Sequence, residues 1–592
     1  MTDFRKILIA NRGEIAIRVM RAANELGKRT VAVFAEEDKL GLHRFKADEA
    51  YRIGEGLGPV AAYLSIPEII RVAKLSGADA VHPGYGLLSE NPGFVEAVEA
   101  AGLTFIGPSA EIMRRLGDKA SARRVAEAAG VPVIPASPVL GEDMAQTRAW
   151  ADQVGYPMML KASWGGGGRG MRPIRAPEEL ETKVREGRRE AEAAFGNGEG
   201  YLEKMIERAR HVEVQILGDT HGGLYHLFER DCTVQRRNQK VVERAPAPYL
   251  TEAQRAVICE LGLKIGREVG YVNAGTVEFL MDMDSGKFYF IEVNPRVQVE
   301  HTVTEEVTGI DIVKAQIRIA EGATLSEATG APSQGDIRLS GHAIQCRVTT
   351  EDPMNNFVPD YGRITAYRSA TGMGIRLDGG TAYSGAVITR YYDSLLEKVT
   401  AWAPTPEEAI ARMDRALREF RIRGVATNID FVINLLKHPE FLGNTYTTQF
   451  IDTTEGLFRF RKRRDRATKI LTYIADITVN GHPDVAGLPR PRADIKAPRP
   501  PEASVPPAPG TRTLLEREGP QAVADWLRDQ PQLMLTDTTM RDAHQSLLAT
   551  RMRSIDMIRV APAYASALPG LFSVECWGGA TFDVAYRFLQ EC

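Results

Sequence analysis

Cysteines are few in this sequence, and their spacing excludes two kinds of site. The chain has five of them, an odd number, scattered without the short spacings that hold a metal: Cys232, Cys259, Cys346, Cys576 and Cys592. A disulfide framework or a zinc cluster is therefore not expected. Free thiols are typical of a reducing compartment, so we expect a cytoplasmic protein.

Long apolar runs and an excess of one charge are also missing. The 592-residue chain has a formal net charge of −3, with 44% hydrophobic and 26% charged residues, as in soluble globular proteins. Such a balance gives no reason to expect nucleic acid or an acidic membrane surface as partner. The N-terminal sequence is too charged for a signal peptide, and no apolar stretch approaches a membrane span.

Two nucleotide-binding fingerprints are absent. The segment after the first apolar strand reads Asn-Arg-Gly rather than G-x-G-x-x-G, which weakens a dinucleotide interpretation, and the glycine run at 165–168 lacks the G-K-[ST] ending of a Walker A loop. Residues 1–118 instead alternate strands with helical patterns: KILIA, EIAIRVMRAANEL, TVAVFA, ADAVHPGYG and LTFIGPS. Strands separated by helices predict a parallel, doubly wound sheet.

The most informative stretch that is present is 287–301, KFYFIEVNPRVQVEH. In an extended chain, Phe288 and Phe290 would share a face with a polar row of even-numbered residues: Glu292, Asn294, Arg296 and Glu300. Glu278 lies in a separate apolar run that suits a neighbouring strand. Carboxylate and amide oxygens are suitable ligands for Mg²⁺. The alternative is a solvated polar face, which the density and mixed charge of the row disfavour.

Three further segments have weaker signals. The glycine run, preceded by Lys161 on the strand at 158–161, could bind phosphate through backbone N–H groups, although many such runs are only flexible loops. Glu203 and Lys204 end a short strand and could read an adenine edge, but a surface charge pair is the preferred interpretation from the residues alone. A basic block predicts either a solvated basic strip or an anion site: Arg230, Arg236, Arg237, Lys240 and Arg244.

Together these segments resemble the biotin carboxylase branch of the ATP-grasp superfamily over residues 1 to about 450. The matching motifs are ANRGEIAIRV, HPGYGLLSEN, GDKASAR, LKASWGGGGRGM, QRRNQK and EVNPRVQVEH. The resemblance implies a mixed α/β and α+β fold: a doubly wound pre-ATP-grasp domain at 1–118, an ATP-grasp domain at 119–335 with its lid at about 131–205, and a C-terminal biotin carboxylase subdomain at 336–452. Asn238 stands where the family usually has histidine.

The resemblance also implies roles for individual residues. ATP would contact Lys119, Lys161, Gly165, Gly166, Gly167, Gly168, Met171, Glu203, Lys204, Ile206, His211, Gln235 and Asn238. Mg²⁺ would be held by Glu278, Glu292 and Asn294. Lys240 and Arg296 would bind bicarbonate, with Glu300 as general base and Arg347 beside the biotin ureido oxygen. The implied reaction is carboxylation of biotin through carboxyphosphate.

The C-terminal part resembles the start of the carboxyltransferase TIM barrel of pyruvate carboxylases. It follows a helical basic stretch at 453–488 and a proline-rich linker at 489–510, and occupies 511–592 with a helix near 519–529 and strands at 532–535 and 571–579. The resemblance implies that Asp542 ligates a divalent metal and that Arg541 and Gln545 contact pyruvate. Taken alone, this motif is better interpreted as a polar helix N-terminus.

The same resemblance implies a multifunctional ligase of gluconeogenesis, with partners beyond ATP and bicarbonate. These are a biotin carrier domain, pyruvate, acetyl-CoA as an activator at Arg421, Arg423 and Arg466, and further copies of the chain in a dimer or tetramer. No His-x-His and no Met-Lys-Met occurs, so the barrel metal ligands and the biotin attachment site are missing and carboxyl transfer is not expected. Two alternatives remain: the biotin carboxylase subunit of an acyl-CoA carboxylase, or an inert assembly or regulatory fragment.

Overall fold

The computed structural model describes residues 2–162, 172–195, 198–460, 466–489, 509–546, 552–589 and 591. These residues divide into two compact units, 1–462 and 463–592. None of the described helices combines the length and the apolar character that crossing a membrane requires.

The first sheet of the larger unit is parallel, with strand order β3-β2-β1-β4-β5. Its strands are β1 (Lys6–Ile9), β2 (Arg29–Phe34), β3 (Glu49–Arg52), β4 (Ala80–His82) and β5 (Thr104–Phe105). Its helices are α1 (Gly13–Glu25), α2 (Leu42–Lys46), α3 (Pro59–Tyr63), α4 (Ile66–Ser76), α5 (Pro92–Ala100) and α6 (Ala110–Gly117). Ile7 and Ile9 face one buried cluster and Leu8 faces another, so both faces of the sheet are covered, as the continuous apolar runs predict.

A small three-stranded sheet follows, in the order β7-β6-β8. The elements of this region are α7 (Lys119–Ala128), α8 (Met144–Val154), β6 (Met158–Ala162), β7 (Arg172–Ile174), α9 (Leu180–Phe195) and β8 (Gly200–Lys204). Its core is separate and contains Met158, Leu160, Ile174 and Leu202. The sheet places Lys161 and Glu203 on neighbouring strands, while the glycine run at 165–168 and Met171 lie outside the described residues.

An eight-stranded sheet forms the body, in the order β13-β12-β9-β10-β11-β14-β21-β19. Its strands are β9 (Ala209–Gly218), β10 (Leu224–Arg236), β11 (Gln239–Ala245), β12 (Asn273–Asp282), β13 (Phe288–Asn294), β14 (His342–Thr349), β19 (Ile375–Gly379) and β21 (Leu395–Ala403). The short strands between β14 and β22 (Arg421–Arg423) are β15 (Glu351–Asp352), β16 (Val358–Pro359), β17 (Gly362–Arg363), β18 (Ala366–Arg368) and β20 (Val387–Ile388). The helices are α10 (Glu252–Val269), α11 (His301–Thr308), α12 (Ile312–Ala320), α13 (Leu325–Thr329), α14 (Pro406–Glu419), α15 (Ile429–Leu436), α16 (Pro439–Leu442) and α17 (Phe450–Thr453).

The second unit begins with a helix and a short βαβ segment. Its elements are α18 (Arg466–Asn480), α19 (Thr511–Arg528), β23 (Thr536–Asp537), α20 (Thr539–Ser546), α21 (Ser554–Ala567), β24 (Ser573–Val574) and α22 (Gly579–Val584). β23 and β24 pair in parallel, as the start of a barrel requires. The strand expected at 532–535 is wrong in position, because the paired residues are Thr536 and Asp537. The helix expected near 519–529 is confirmed, because α19 is kinked at Gly519 and its second segment continues to Arg528. A first helical segment, from Thr511 to the kink, precedes it.

Candidate active site

A polar stripe runs across three adjacent strands of the eight-stranded sheet. On β9, His211, Glu213 and Gln215 alternate with Val212 and Val214, which belong to the apolar core beneath. In the paired register, Glu278 of β12 lies opposite Glu213, and Glu292 of β13 lies opposite Glu278. Acidic side chains from three strands therefore meet on one face.

A β-bulge at Ile291 sets which residues of β13 join this stripe. Phe279 pairs with Phe290 and Glu278 pairs with Glu292, so Ile291 is the extra residue. The expectation that Phe288 and Phe290 share a face with Glu292 is wrong, because the bulge reverses the alternation. Phe290 lies in the apolar core, and Glu292 lies on the opposite, polar face.

The strand also ends earlier than the row requires. β13 stops at Asn294, and Glu300 is the residue immediately before α11. The chain turn between them still places Glu300 beside the stripe, because its carboxylate lies 2.6 Å from the Lys240 ammonium group. Arg296 joins the site to Glu90. Its Nε lies 2.6 Å from Glu90 Oε1, and its Nη2 donates to the Asn294 side-chain oxygen at 2.9 Å.

Lys240 is the centre of the site. Its Nζ donates to three carboxylates, at 2.5 Å to Glu213, 2.9 Å to Glu278 and 2.6 Å to Glu300. The lysine side chain is only 12% exposed, so this ammonium group is held away from bulk water. Burial alone would lower the pKa of Lys240, but the surrounding carboxylates raise it well above its usual value and keep the group charged.

The same contacts keep two of the carboxylates ionised. Burial opposes ionisation of Glu300, yet Lys240 and Arg347 hold the pKa of this carboxyl below its usual range. For Glu278, burial is again outweighed, here by Lys240 and His211, whose Nε2 lies 2.9 Å from Glu278 Oε2. Glu300 is thus available as a proton acceptor at neutral pH.

Arg347 reaches Glu300 from β14, a strand of the same sheet that four other strands separate from β13. Its Nη2 lies 3.2 Å from Glu300, and its Nε donates to Glu243 at 2.7 Å. Glu243 is fully buried and also accepts from Gln345 at 2.9 Å. Two carboxylates therefore orient the Arg347 guanidinium, whose planar fork suits a planar oxyanion.

Glu278 and Glu292 form a pair that a divalent cation would fit. Burial raises the pKa of Glu292, and the negative charge of Glu278 raises it further. Among the described residues, no hydrogen bond or ion pair engages the Glu292 carboxylate. A cation between these hard oxygen ligands would relieve their repulsion, as Mg²⁺ sites do. In this structure Asn294 turns its amide nitrogen, not its oxygen, towards Glu278, at 2.9 Å.

The residues predicted to contact nucleotide lie on the lid and on the adjoining strands. Lys161 Nζ forms an ion pair with Glu203. Lys204 points away from Glu203 and donates to the Tyr156 carbonyl oxygen at 2.7 Å. Lys119 is exposed at the start of α7, with a favourable electrostatic effect on Glu292. Ile206 is half-buried just after β8, Gln235 is buried on β10, and Asn238 is exposed in the β10–β11 turn.

The basic block is not a continuous solvated strip. Arg230 is fully buried and Arg244 is 4% exposed, whereas Arg237 is exposed in the turn. Arg230 donates to five side chains: Glu213 (2.5 Å), Gln215 (2.8 Å), Thr304 (3.1 Å), Thr276 (3.1 Å) and Gln298 (3.0 Å). Glu229, Arg230 and Asp231 are consecutive and all buried, so no alternation in the sequence marks Arg230 as internal, and its partners come from distant segments.

Sequence reasoning missed the buried acids Glu213 and Glu243. One signal could have identified Glu213: the alternation His-Val-Glu-Val-Gln-Ile at 211–216, with every second residue polar in an otherwise apolar strand. Glu243 has no such signal, because its importance comes from its contact with Arg347 on a neighbouring strand.

The remaining predicted residues are divided between the two units. Arg421 and Arg423 are exposed on β22, in the first unit, whereas Arg466 begins α18 in the second. In the second unit, Arg541 contacts both neighbours predicted from the motif, Asp542 at 3.2 Å and Gln545 at 2.6 Å, and forms an ion pair with Glu575 at 2.9 Å.

Family models match three consecutive parts of the chain. They are the biotin carboxylase N-terminal domain at residues 3–113, the ATP-binding domain of the carbamoyl-phosphate synthase L chain at 118–328, and the biotin carboxylase C-terminal domain at 345–453. The fold and the site thus define an ATP-grasp enzyme, and the chain belongs to the biotin carboxylase family, whose members are biotin-dependent ligases.

Pyruvate carboxylases are among the relatives that match over the whole chain. The Bacillus subtilis pyruvate carboxylase is 53% identical over 590 residues, covering 100% of this chain and 51% of that protein. A structure of Rhizobium etli pyruvate carboxylase with the allosteric activator acetyl coenzyme A matches with a TM-score of 0.73 and 65% identity, over 99% of this chain and 52% of that one. The chain therefore spans about half the length of these relatives.

A third match covers a complete domain. The biotin carboxylase domain of Hydrogenobacter thermophilus 2-oxoglutarate carboxylase, solved with MgADP, ADP and bicarbonate, is 46% identical, with a TM-score of 0.72 over 78% of this chain and 100% of that one. Its full coverage shows that the first unit contains a whole biotin carboxylase fold.

Proposed function

We propose that this chain catalyses the ATP- and bicarbonate-dependent carboxylation of biotin. The observation that carries the proposal is the contact of Glu300 with both Lys240 and Arg347. It combines an ionised carboxylate, able to accept a proton, with two cations that suit an oxyanion.

The chemistry follows from this arrangement. Lys240 and Arg296 bind bicarbonate, and Glu300 takes its proton as a bicarbonate oxygen attacks the γ-phosphorus of ATP and ADP departs. The resulting carboxyphosphate breaks into CO₂ and phosphate. This phosphate accepts the proton of the biotin ureido nitrogen, and Arg347 stabilises the negative charge that develops on the ureido oxygen. The deprotonated nitrogen then bonds to the carbon of CO₂. Mg²⁺, held by Glu278 and Glu292, would neutralise charge on the phosphates.

The lid residues would hold the nucleotide. Lys119 and Lys161 would meet the phosphates. The residues that would surround the base are Glu203, Lys204, Ile206, Gln235 and Asn238, and His211 would lie near the ribose. The ion pair of Lys161 with Glu203 supports this assignment, because it holds a cation on a rigid strand of the lid. Opening of that pair on ATP binding would free the ammonium group for phosphate.

The whole-protein activity that we propose is conversion of pyruvate to oxaloacetate, as part of gluconeogenesis, in the cytoplasm. The cluster of Arg541, Asp542 and Gln545 supports it, because an acyl-CoA carboxylase subunit would have no use for that cluster. This proposal also includes a metal at Asp542, with pyruvate and a biotin carrier domain as partners. It includes acetyl-CoA binding near Arg421, Arg423 and Arg466, and assembly of the chain into dimers or tetramers.

The test is ADP formation with bicarbonate, with and without free biotin. We expect biotin to stimulate ATP cleavage and the Glu300→Gln variant to lose about 100-fold or more of that activity, because it removes the base. Glu419→Gln, which alters an exposed helix ion pair, is the matched control and should retain full activity. An active Glu300→Gln enzyme, or a wild type indifferent to biotin, would refute the proposal.

A further inference from the structure

Lys398 is a fully buried lysine that neither the sequence motifs nor the proposed chemistry uses. It lies on β21, where the register pairs it with Arg347 of β14 and with Asp378 of β19. Its side chain is 0% exposed. A charged group with no access to water is costly unless it is paired, so its partners are expected to be specific.

The Lys398 ammonium group joins segments that are distant in the sequence. Nζ donates to the backbone carbonyl of Val299 at 3.1 Å and lies 3.0 Å from Glu14 Oε2. It also lies 5.9 Å from the centre of the Tyr85 ring. Val299 immediately precedes Glu300, so one ammonium group fixes the backbone next to the proposed base and contacts α1 as well.

Glu14 continues the chain of contacts to Tyr85. The Tyr85 hydroxyl donates to Glu14 Oε1, while the backbone of Tyr85 is held by Asn11, whose Nδ2 donates to its carbonyl oxygen at 2.8 Å. Lys398 also pairs across the strands with Arg347 of β14. Tyr85, Glu14 and Lys398 therefore form one connected group next to the strand that carries the guanidinium proposed to face the biotin ureido oxygen.

We propose that Lys398 is a positioning residue for biotin carboxylation, which holds Glu300 through the Val299 carbonyl and Tyr85 through Glu14. This inference rests on the proposed function, because it assigns Lys398 a role in that same site. A purely structural lysine would contribute to stability alone. A positioning lysine has a further effect. Misplacing Glu300 slows ATP cleavage and carboxylation together, whereas misplacing Tyr85, which the proposed ATP cleavage does not use, slows carboxylation further and so raises the amount of ATP cleaved for each biotin carboxylated.

The primary variant is Lys398→Met, which keeps the length of the side chain and removes its charge and hydrogen-bond donors. We expect kcat for free biotin carboxylation to fall about 10- to 100-fold, the scale of a misplaced catalytic group. The Kd of ATP should change less than about threefold, because no described contact joins Lys398 to the lid, and more ATP should be cleaved for each biotin carboxylated. Lys314→Met, which removes a partly exposed lysine paired with Glu25, is the control and should behave as wild type.

A double-mutant cycle with Tyr85→Phe tests the route. If Lys398 acts through Glu14 and Tyr85, the fold-loss of kcat in the double variant is smaller than the product of the fold-losses in the two single variants. Glu14→Gln keeps the volume of the side chain and an oxygen acceptor, and it should show the same raised ratio of ATP cleavage to carboxylation. This variant replaces Lys398→Met in the experiment if Lys398→Met does not fold. Three results would overturn the inference. They are kcat losses that multiply in the double variant, equal falls of ATP cleavage and carboxylation in Lys398→Met, and a wild-type ratio of ATP cleavage to carboxylation in Glu14→Gln. A wild-type enzyme without bicarbonate-dependent ATP cleavage would instead refute the proposed function.

Discussion

At the scale of single residues, the site depends on charges that are buried together and compensate one another. Lys240 contacts three carboxylates, and Arg230 donates to the Glu213 oxygen that Lys240 does not contact. Such groups are destabilising when one partner is lost, because the remaining charge has no water around it. The residues of the site are therefore part of what holds the sheet together.

The Arg230→Met variant tests this dependence. Among the described residues, removing the guanidinium leaves Lys240 as the one cation paired with Glu213. It also leaves four further buried acceptor atoms without their partner. We expect the free energy of unfolding to fall by about 3–5 kcal/mol, measured by urea unfolding. Arg237→Met, at an exposed turn position, should change it by less than about 0.5 kcal/mol. Equal effects in the two variants would contradict the description of Arg230 as a structural charge.

Glu243→Gln tests how the Arg347 guanidinium is oriented. The change keeps the volume of the side chain but removes the buried negative charge that Arg347 contacts at 2.5 Å. We expect kcat for biotin carboxylation to fall about tenfold, because a less strictly oriented guanidinium stabilises the ureido oxygen less well. Steady-state kinetics with free biotin measure it, and a variant with wild-type kcat would show that Glu300 alone positions Arg347.

At the scale of elements, close backbone contacts bring the site together. Gly380, in the loop after β19, packs against the first residues of α1, so that a Cβ there would meet Glu14 N at 2.4 Å. Gly13 at the start of α1 has a φ of +65°, which favours glycine. The start of α1 thus contributes Glu14 to the site only because two glycines allow this approach.

Gly380→Ala should separate these elements. The added methyl group meets backbone atoms that cannot rotate away, and we expect destabilisation of about 1–3 kcal/mol together with lower biotin turnover. Thermal unfolding and the coupled ATPase assay measure the two effects. Gly117→Ala has open space around the new Cβ and is the control. If both alanine variants are equally stable, the α1 contact is looser than the structure indicates.

At the scale of the whole molecule, buried histidines link stability to pH. Burial lowers the pKa of His43 and His82 to about 4 each. Both are neutral in the folded protein, whereas the unfolded chain protonates them below about pH 6.5. The unfolded state then binds more protons, so each histidine lowers stability by up to about 3 kcal/mol as the pH falls from 6.5 to 4.

Glu397 acts in the opposite direction. Burial raises its pKa to about 7, so its contribution to stability improves as the pH falls from 7 towards 4.5. Between pH 7 and 5, we expect the loss of stability to be less steep in His82→Gln and steeper in Glu397→Gln than in the wild type. Unfolding midpoints at a series of pH values measure both effects. Identical pH slopes in wild type and both variants would contradict these assignments.

Much of the fold could be predicted from local sequence patterns. The parallel first sheet follows from apolar runs separated by amphipathic helices, and the alternation at 211–216 determines which face of β9 is polar. These patterns act within one element, where side chains point according to backbone geometry. The family resemblance added the proposed roles of Lys240, Glu300 and Arg347, which composition and spacing alone do not supply.

Only the tertiary structure decided which charges meet. The bulge at Ile291, the burial of Arg230 and the contacts of Lys398 with Val299 and Glu14 depend on strand register and on packing between segments up to several hundred residues apart. Sequence periodicity cannot reveal such contacts, because it describes a strand or helix by itself. Pairing of buried charges is settled only when the whole sheet assembles and excludes water from the site.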